Sequence, residues 1–179
     1  MDEFKVNIID LYSEFVYFPL NLFVSKIILN KGGFRMEINE NAPARARAEV
    51  KINAGPELVW NVLVDVKIWP NWNPDVKNVV MDQKFTVGSQ FKWKAGPGII
   101  TSKLHEIEKP KLLVWTGKTM GIHAVHVWRL KPIDGQTTIS SEESWDGLIV
   151  RILSGSMQKT LKKSTESGLK YLKQEIENR

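Results

Sequence analysis

The chain contains no cysteine. Disulfide bridges, thiol nucleophiles and cysteine-ligated metal are therefore excluded. Histidine is scarce too: His105, His123 and His126 are all there is, and they form no cluster with Asp or Glu at metal-ligand spacing. His123 and His126 have opposite strand parity, so they do not converge on one ion. There is no Gly-x-Ser-x-Gly elbow to hold a serine nucleophile. Gly96-Pro97-Gly98 reads as a hairpin turn, because a phosphate loop would lead from strand to helix. No metal and no cofactor is expected. The net charge is +5, but no block of like charge is long enough for a nucleic-acid arm, so nucleic acid is not an expected partner.

Long apolar runs are also missing. The longest, FVYFPLNLFVS at residues 15–25, is interrupted by Pro19 and Asn21 and bracketed by Glu14 and Lys26. A membrane-crossing helix needs ~20 apolar residues. The opening Met-Asp-Glu-Phe-Lys does not read as a secretory leader, which starts basic. The expected setting is cytoplasmic. Residues 5–29 are read as one or two apolar helices, closed by Lys31-Gly32-Gly33. Such a segment can pack on the domain, pair with a second copy or lie peripherally on a membrane surface. Met36 is an alternative start for a complete domain. The division that follows is an extension over 1–35, a linker over 36–44 and one domain over 45–179.

What is present is ordinary globular composition, 42% apolar and 25% charged over 179 residues. In residues 45–53, Ala46, Ala48, Val50 and Ile52 alternate with Arg45, Arg47, Glu49 and Lys51, as a half-buried strand does. Pro56 and Glu57 open a helix over 56–65, with Leu58, Val59, Val62 and Leu63 as its apolar side. The stretch IWPNWNP follows at 68–74, where Pro70 and Pro74 bias the preceding residues away from helix. It carries two tryptophans, Trp69 and Trp72, in a run that must be irregular. Strands are then expected over 76–83, 89–95, 98–107, 111–117, 121–131 and 136–145. Connections this short favour sequential antiparallel pairing.

A long amphipathic helix ends the chain, about 148–177. Its apolar stripe runs through Ile149, Leu153, Met157, Thr160, Leu161, Ser164, Gly168, Tyr171, Leu172 and Ile176. The small residues Thr160, Ser164 and Gly168 in mid-stripe mean either close backbone approach or room for a ligand. The fold class is α+β: seven strands with one dry face, covered by one helix. A strongly curved sheet would leave an apolar gap beneath the helix, where small ligands bind.

These residues resemble a known family. Residues 45–177 are similar to the helix-grip fold of the START and birch-pollen-allergen (SRPBCC) superfamily, and within it to the polyketide cyclase/dehydrase and lipid-transport group. The likeness is carried by PELVW at 56–60, WPNWNP at 69–74, VGSQF at 87–91, LVWTG at 113–117, Gly121 to Trp128 with His126, and Glu142-Glu143-Ser144 with Gly147. The resemblance implies a curved seven-stranded antiparallel sheet around the C-terminal helix, with two short helices after the first strand; Trp69 and Trp72, leading from those helices to the second strand, then either plug the end of the sheet or wall one side of the cavity mouth. It also implies a cavity for a small hydrophobic ligand: a lipid, a polyketide-like molecule or an aromatic metabolite.

Candidate wall residues are Trp69, Trp72, Phe91, Trp93, Ile100, Trp115, His126, Trp128, Glu143, Met157, Leu161 and Ser164. His126 shares a strand face with Ile122, Ala124, Trp128 and Leu130. Glu143 shares parity with Ile139 and Trp145, while Glu142 points to solvent. His126 is either a hydrogen-bonded interior residue or a base or ligand contact. An unpaired inward Glu143 would have a raised pKa. The fold hosts carriers, sensors, enzymes and chaperone activators alike. Binding without catalysis is the leading expectation. A cyclase or dehydratase using His126 and Glu143 is the second, and a protein-interaction module the third.

Overall fold

The computed structural model describes residues 27–30 and 33–179. Among the described residues two short strands come first, β1 (Ile27–Asn30) and β2 (Gly33–Met36), paired antiparallel with Ile27 opposite Met36. The helices expected over residues 5–29 fall mostly outside the described residues. Their last part is corrected, because Ile27–Asn30 is strand: Gly33 opens a partner strand instead of closing a helix.

The main body runs β3 (Ala44–Ile52), α1 (Pro56–Val64), a single 3-10 turn (Val66–Ile68), α2 (Trp69–Trp72), β4 (Val76–Val80), β5 (Gln90–Ala95), β6 (Gly98–Glu108), β7 (Leu112–Thr119), β8 (Ile122–Ile133), β9 (Gln136–Asp146), α3 (Leu148–Ile152) and α4 (Ser154–Glu177). Seven strands form one antiparallel sheet in the order β3-β9-β8-β7-β6-β5-β4. This is the α+β helix-grip fold. β4 to β9 pair with their sequence neighbours, and β3 closes on β9 with Ala44 opposite Trp145 and Ile52 opposite Thr137.

Local chemistry explains the departures from the sequence reading. On α1 the buried residues are Val59, Trp60, Val62 and Leu63, whereas Leu58 is exposed; the indole takes the inward position. Residues 69–72 form a helical turn with Pro70 in its first turn, where the missing N–H costs nothing. Trp69 is therefore helical despite preceding a proline, while Asn73, before Pro74, is extended as expected. The last helix is broken at Leu153, where φ is −107° and ψ 31°, which separates α3 from α4.

Both faces of the sheet are covered. The inner face meets α1, α2 and α4 around a core that includes Phe91, Leu104, Leu113, Leu169 and Leu172. On the outer face a second cluster joins Leu112, Val114, Val125 and Val127 to Ile38 and Met36. The stretch expected as a linker, 36–44, is thus a docked strap. Arg129 bridges Glu37 and Glu142, Arg47 bridges Glu142 and Glu40, and Arg35 pairs with Glu108. Glu142 does lie on the outer side, but it is ion-paired and not merely solvated.

Ile38 is 1% exposed, which makes it a core residue of that outer layer. Ile38→Ala should cost about 2–4 kcal/mol in urea unfolding, the range for emptying a buried aliphatic site. A change below about 0.5 kcal/mol would mean that the strap does not contribute to stability.

Candidate functional site

A cavity of about 750 Å³ lies between the inner face of the sheet and α4. Two sets of small residues leave it open. Across the sheet, one row of paired residues reads Phe91, Ser102, Gly117, Ala124, Trp145 and Ala44. Ser102, Gly117 and Ala124, in the middle of that row, line the cavity. On the helix, Met157, Thr160, Ser164 and Gly168 face it. A Cβ built on Gly168 would meet nothing within 4 Å, so the small stripe leaves space and is not a close packing contact.

The same helix buries a different stripe. Leu161, Thr165, Leu169, Leu172 and Ile176 are its buried residues, at steps of three and four. Leu161 packs with Ala44, Ala46 and Val150. Residues 160 and 161 are separated by one step of a 3.6-residue turn, so one faces the lumen and the other the sheet. Leu161 is consequently not a wall residue, which corrects the sequence expectation. Phe91 is corrected as well. It sits behind the wall at 1% exposure, edge-on to Trp69 at 5.8 Å and to Trp115 at 6.3 Å.

The other expected residues, Trp69, Trp72, Trp93, Ile100, Trp115, His126, Trp128, Glu143, Met157 and Ser164, are brought together around the lumen. Trp69 is both plug and wall. Its indole N–H donates to the Leu63 carbonyl at 3.0 Å, and its ring meets Trp93 edge-on at 5.7 Å. Trp93 is fixed in turn by donating to Ser102 Oγ at 3.0 Å. The imidazole of His126 packs against both Trp115, at 4.6 Å, and Trp128, stacked at 5.0 Å.

A polar row crosses this aromatic lining. Trp115, His126, Glu143 and Ala46 are successive partners on β7, β8, β9 and β3. His126 Nε2 is 2.7 Å from Ser141 Oγ. Glu143 Oε1 accepts from Trp145 Nε1 at 2.8 Å, and its Oε2 stands 3.6 Å from His126 Nδ1, beyond a direct hydrogen bond. Burial drives the carboxyl of Glu143 up to about 7, against the opposing pull of the Trp145 N–H. Burial also drives His126 down to about 3. At neutral pH the imidazole is therefore uncharged, and Glu143 is poised between acid and carboxylate. The pair can donate or accept hydrogen bonds at a ligand's polar group, and Glu143 can exchange a proton.

Ser141 and Trp145 were missed as site residues, although they share strand parity with Glu143 and could have been read from it. Ser102, Gly117 and Ala124 carry no such signal: small residues on a strand become a cavity floor only once their cross-strand partners are known. His105 pairs with Thr116 Oγ1 at 2.9 Å, away from the lumen. Among the described residues no group of His, Asp or Glu could hold a metal ion.

Structural relatives share this architecture. A hypothetical protein from Helicobacter pylori is 18% identical with a TM-score of 0.70, over 88% of this chain and 99% of its own. A START superfamily protein from Mycobacterium smegmatis is 15% identical with a TM-score of 0.61, over 75% and 97%. An aromatase/cyclase from a Streptomyces species is 15% identical with a TM-score of 0.63, over 75% and 94%. A sequence search among curated proteins finds no match. Residues 43–177 match the sequence family described as polyketide cyclase / dehydrase and lipid transport, and the protein belongs to that family.

Proposed function

We propose that the protein binds a small hydrophobic ligand in this cavity, with an aromatic or chain-like body, and carries or senses it without altering it. The observation that carries this reading is the 750 Å³ lumen walled by tryptophans and floored by small residues. Burial of apolar ligand surface supplies the affinity. Ser141, His126, Glu143 and Trp145 form the polar spot that orients one oxygen or nitrogen of the ligand. Among the described residues no helix is long and apolar enough to cross a membrane.

One observation favours a second reading, acid/base catalysis. A carboxyl with a pKa of about 7 beside a neutral imidazole is suited to moving a proton at neutral pH. A cyclisation or dehydration of a polyketide-like chain fits this chemistry, as does the family's name. Under that reading His126→Ala and Glu143→Gln abolish turnover of a poly-β-carbonyl probe and leave its binding within about threefold. Loss of binding together with turnover returns the pair to the role of orienting the ligand.

Gly168→Leu tests the cavity itself. The new side chain enters open space in mid-helix, so stability should rise by about 0.5–1 kcal/mol from helix propensity alone. Tryptophan fluorescence titrations against lipids and aromatic metabolites should show the variant at least tenfold weaker than wild type, about 1.4 kcal/mol. Unchanged affinity for a ligand that binds the wild type would overturn binding in the lumen.

The polar pair is tested by pH. Glu143 in the native chain titrates near 7, above its ordinary 4.5, so native stability falls as pH rises through that window. His126 titrates near 3, below its ordinary 6.5, so stability falls as pH drops through that window. Between about 4.5 and 6.5 the two slopes oppose each other, and wild-type stability should be nearly flat. Glu143→Gln should remove the alkaline loss, gaining about 1–3 kcal/mol over wild type at pH 8 in urea melts, and expose the His126 slope below pH 6.5. A variant less stable than wild type at pH 8 would mean that the pair is an imidazolium–carboxylate ion pair.

A further inference from the structure

The rim of the cavity carries a second chemistry that ligand binding does not use. Three segments meet there: the β5–β6 turn, the β7–β8 turn and the corner leading through α3 into α4. They are one surface. A Cβ on Gly98 would come within 3.2 Å of Met120 Sδ, and a Cβ on Gly147 would fall 2.1 Å from the Gly121 carbonyl oxygen. Large aliphatic side chains stand out from all three: Ile99 is 64% exposed, Met120 67%, Leu148 74% and Ile152 70%. Leu148 and Ile152 are four residues apart on α3, which buries only Val150. Exposed apolar groups gathered in this way mark a contact surface.

The charge on these segments is mostly positive. Residues 94–101, 117–123 and 147–165 contain no Asp or Glu, yet they hold Lys94, Lys118, Arg151, Lys159, Lys162 and Lys163. Arg151 is paired with Asp146, and Lys162 lies 3.9 Å from Glu166. On the remaining side of the mouth Asp75 and Lys77 offset each other. The three segments contain no Phe, Tyr or Trp, so they offer no platform for stacking nucleobases. A second copy would set lysine against lysine.

We infer that this rim docks on an anionic lipid bilayer, with Leu148, Ile152, Met120 and Ile99 entering the headgroup boundary and the lysines facing the lipid phosphates and carboxylates. Exposed aliphatic wedges with lysines on the same segments are what an acidic lipid interface binds, by burial and charge together. The docked mouth opens onto the bilayer. Docking uses the outside of the cavity and does not depend on whether the lumen is loaded.

The test is co-sedimentation of the full chain with vesicles of phosphatidylcholine alone, and of phosphatidylcholine with one third phosphatidylserine. Binding to the anionic vesicles should be at least tenfold tighter and should weaken with salt. The double variant Leu148→Asp, Ile152→Asp changes two exposed side chains outside the cavity wall, so its melting temperature should match wild type. Its vesicle binding should fall at least tenfold. Lys159→Glu with Lys162→Glu should produce a loss of similar size. Equal binding to both vesicle types overturns the inference, as does a double aspartate variant that binds like wild type. A wild-type dimer that the aspartates dissociate, with no vesicle binding, also overturns it and makes the rim a contact between copies.

Discussion

One helix has to cover a seven-stranded sheet, and it covers one edge of it. α4 is held there by a single narrow stripe, Leu161 through Ile176, pressed mainly on β3, with hydrogen bonds at both ends of the contact. Lys173 donates to the Lys51 carbonyl, and Gln158 exchanges bonds with the backbone of Arg45. A helix about 10 Å wide, fixed over one edge, cannot also press on β5, β6 and β7. The hollow is therefore a geometric remainder of the docking. The tryptophans on the far side line a space that no secondary-structure element fills.

That remainder explains the arrangement of polar groups. A buried carboxylate without a cationic partner is costly, so Glu143 moves toward its neutral form, and the neighbouring His126 stays neutral as well. Ionic groups are kept on the opposite face, where Arg129, Glu142, Arg47, Glu37 and Glu40 form a chain of alternating charge over the strap. The alternation of the strands places Glu142 and Glu143, adjacent in sequence, in these two different environments.

Much of this was legible in the sequence, for identifiable reasons. Period-two alternation set the strands and put His126, Trp128 and Glu143 on one face. The short turns made the sheet antiparallel, and the order of elements made the fold class. What was not legible depended on tertiary contact. Leu161 and Ser164 look like one stripe in sequence, but a rotation about the helix axis sends them to different surroundings. Phe91 has the parity of a wall residue and lies behind Trp69. Residues 36–44 read as a linker because polar Glu37, Asn39 and Glu40 flank Ile38, and the strip of sheet that buries Ile38 is drawn from β7 and β8.

The closure of β3 on β9 joins residues about a hundred positions apart, with Ala44 facing Trp145. Local hairpins from β5 to β9 can zip in turn, each at low entropic cost, but this last seam must wait for both chain ends to be brought together. α4 lies along this seam and also packs on α1, with Leu169, Leu172 and Ile176 in one core with Val59 and Leu63. Without α4 the tryptophan-lined face has no opposing wall, so the chamber is complete only when that helix is seated on the seam.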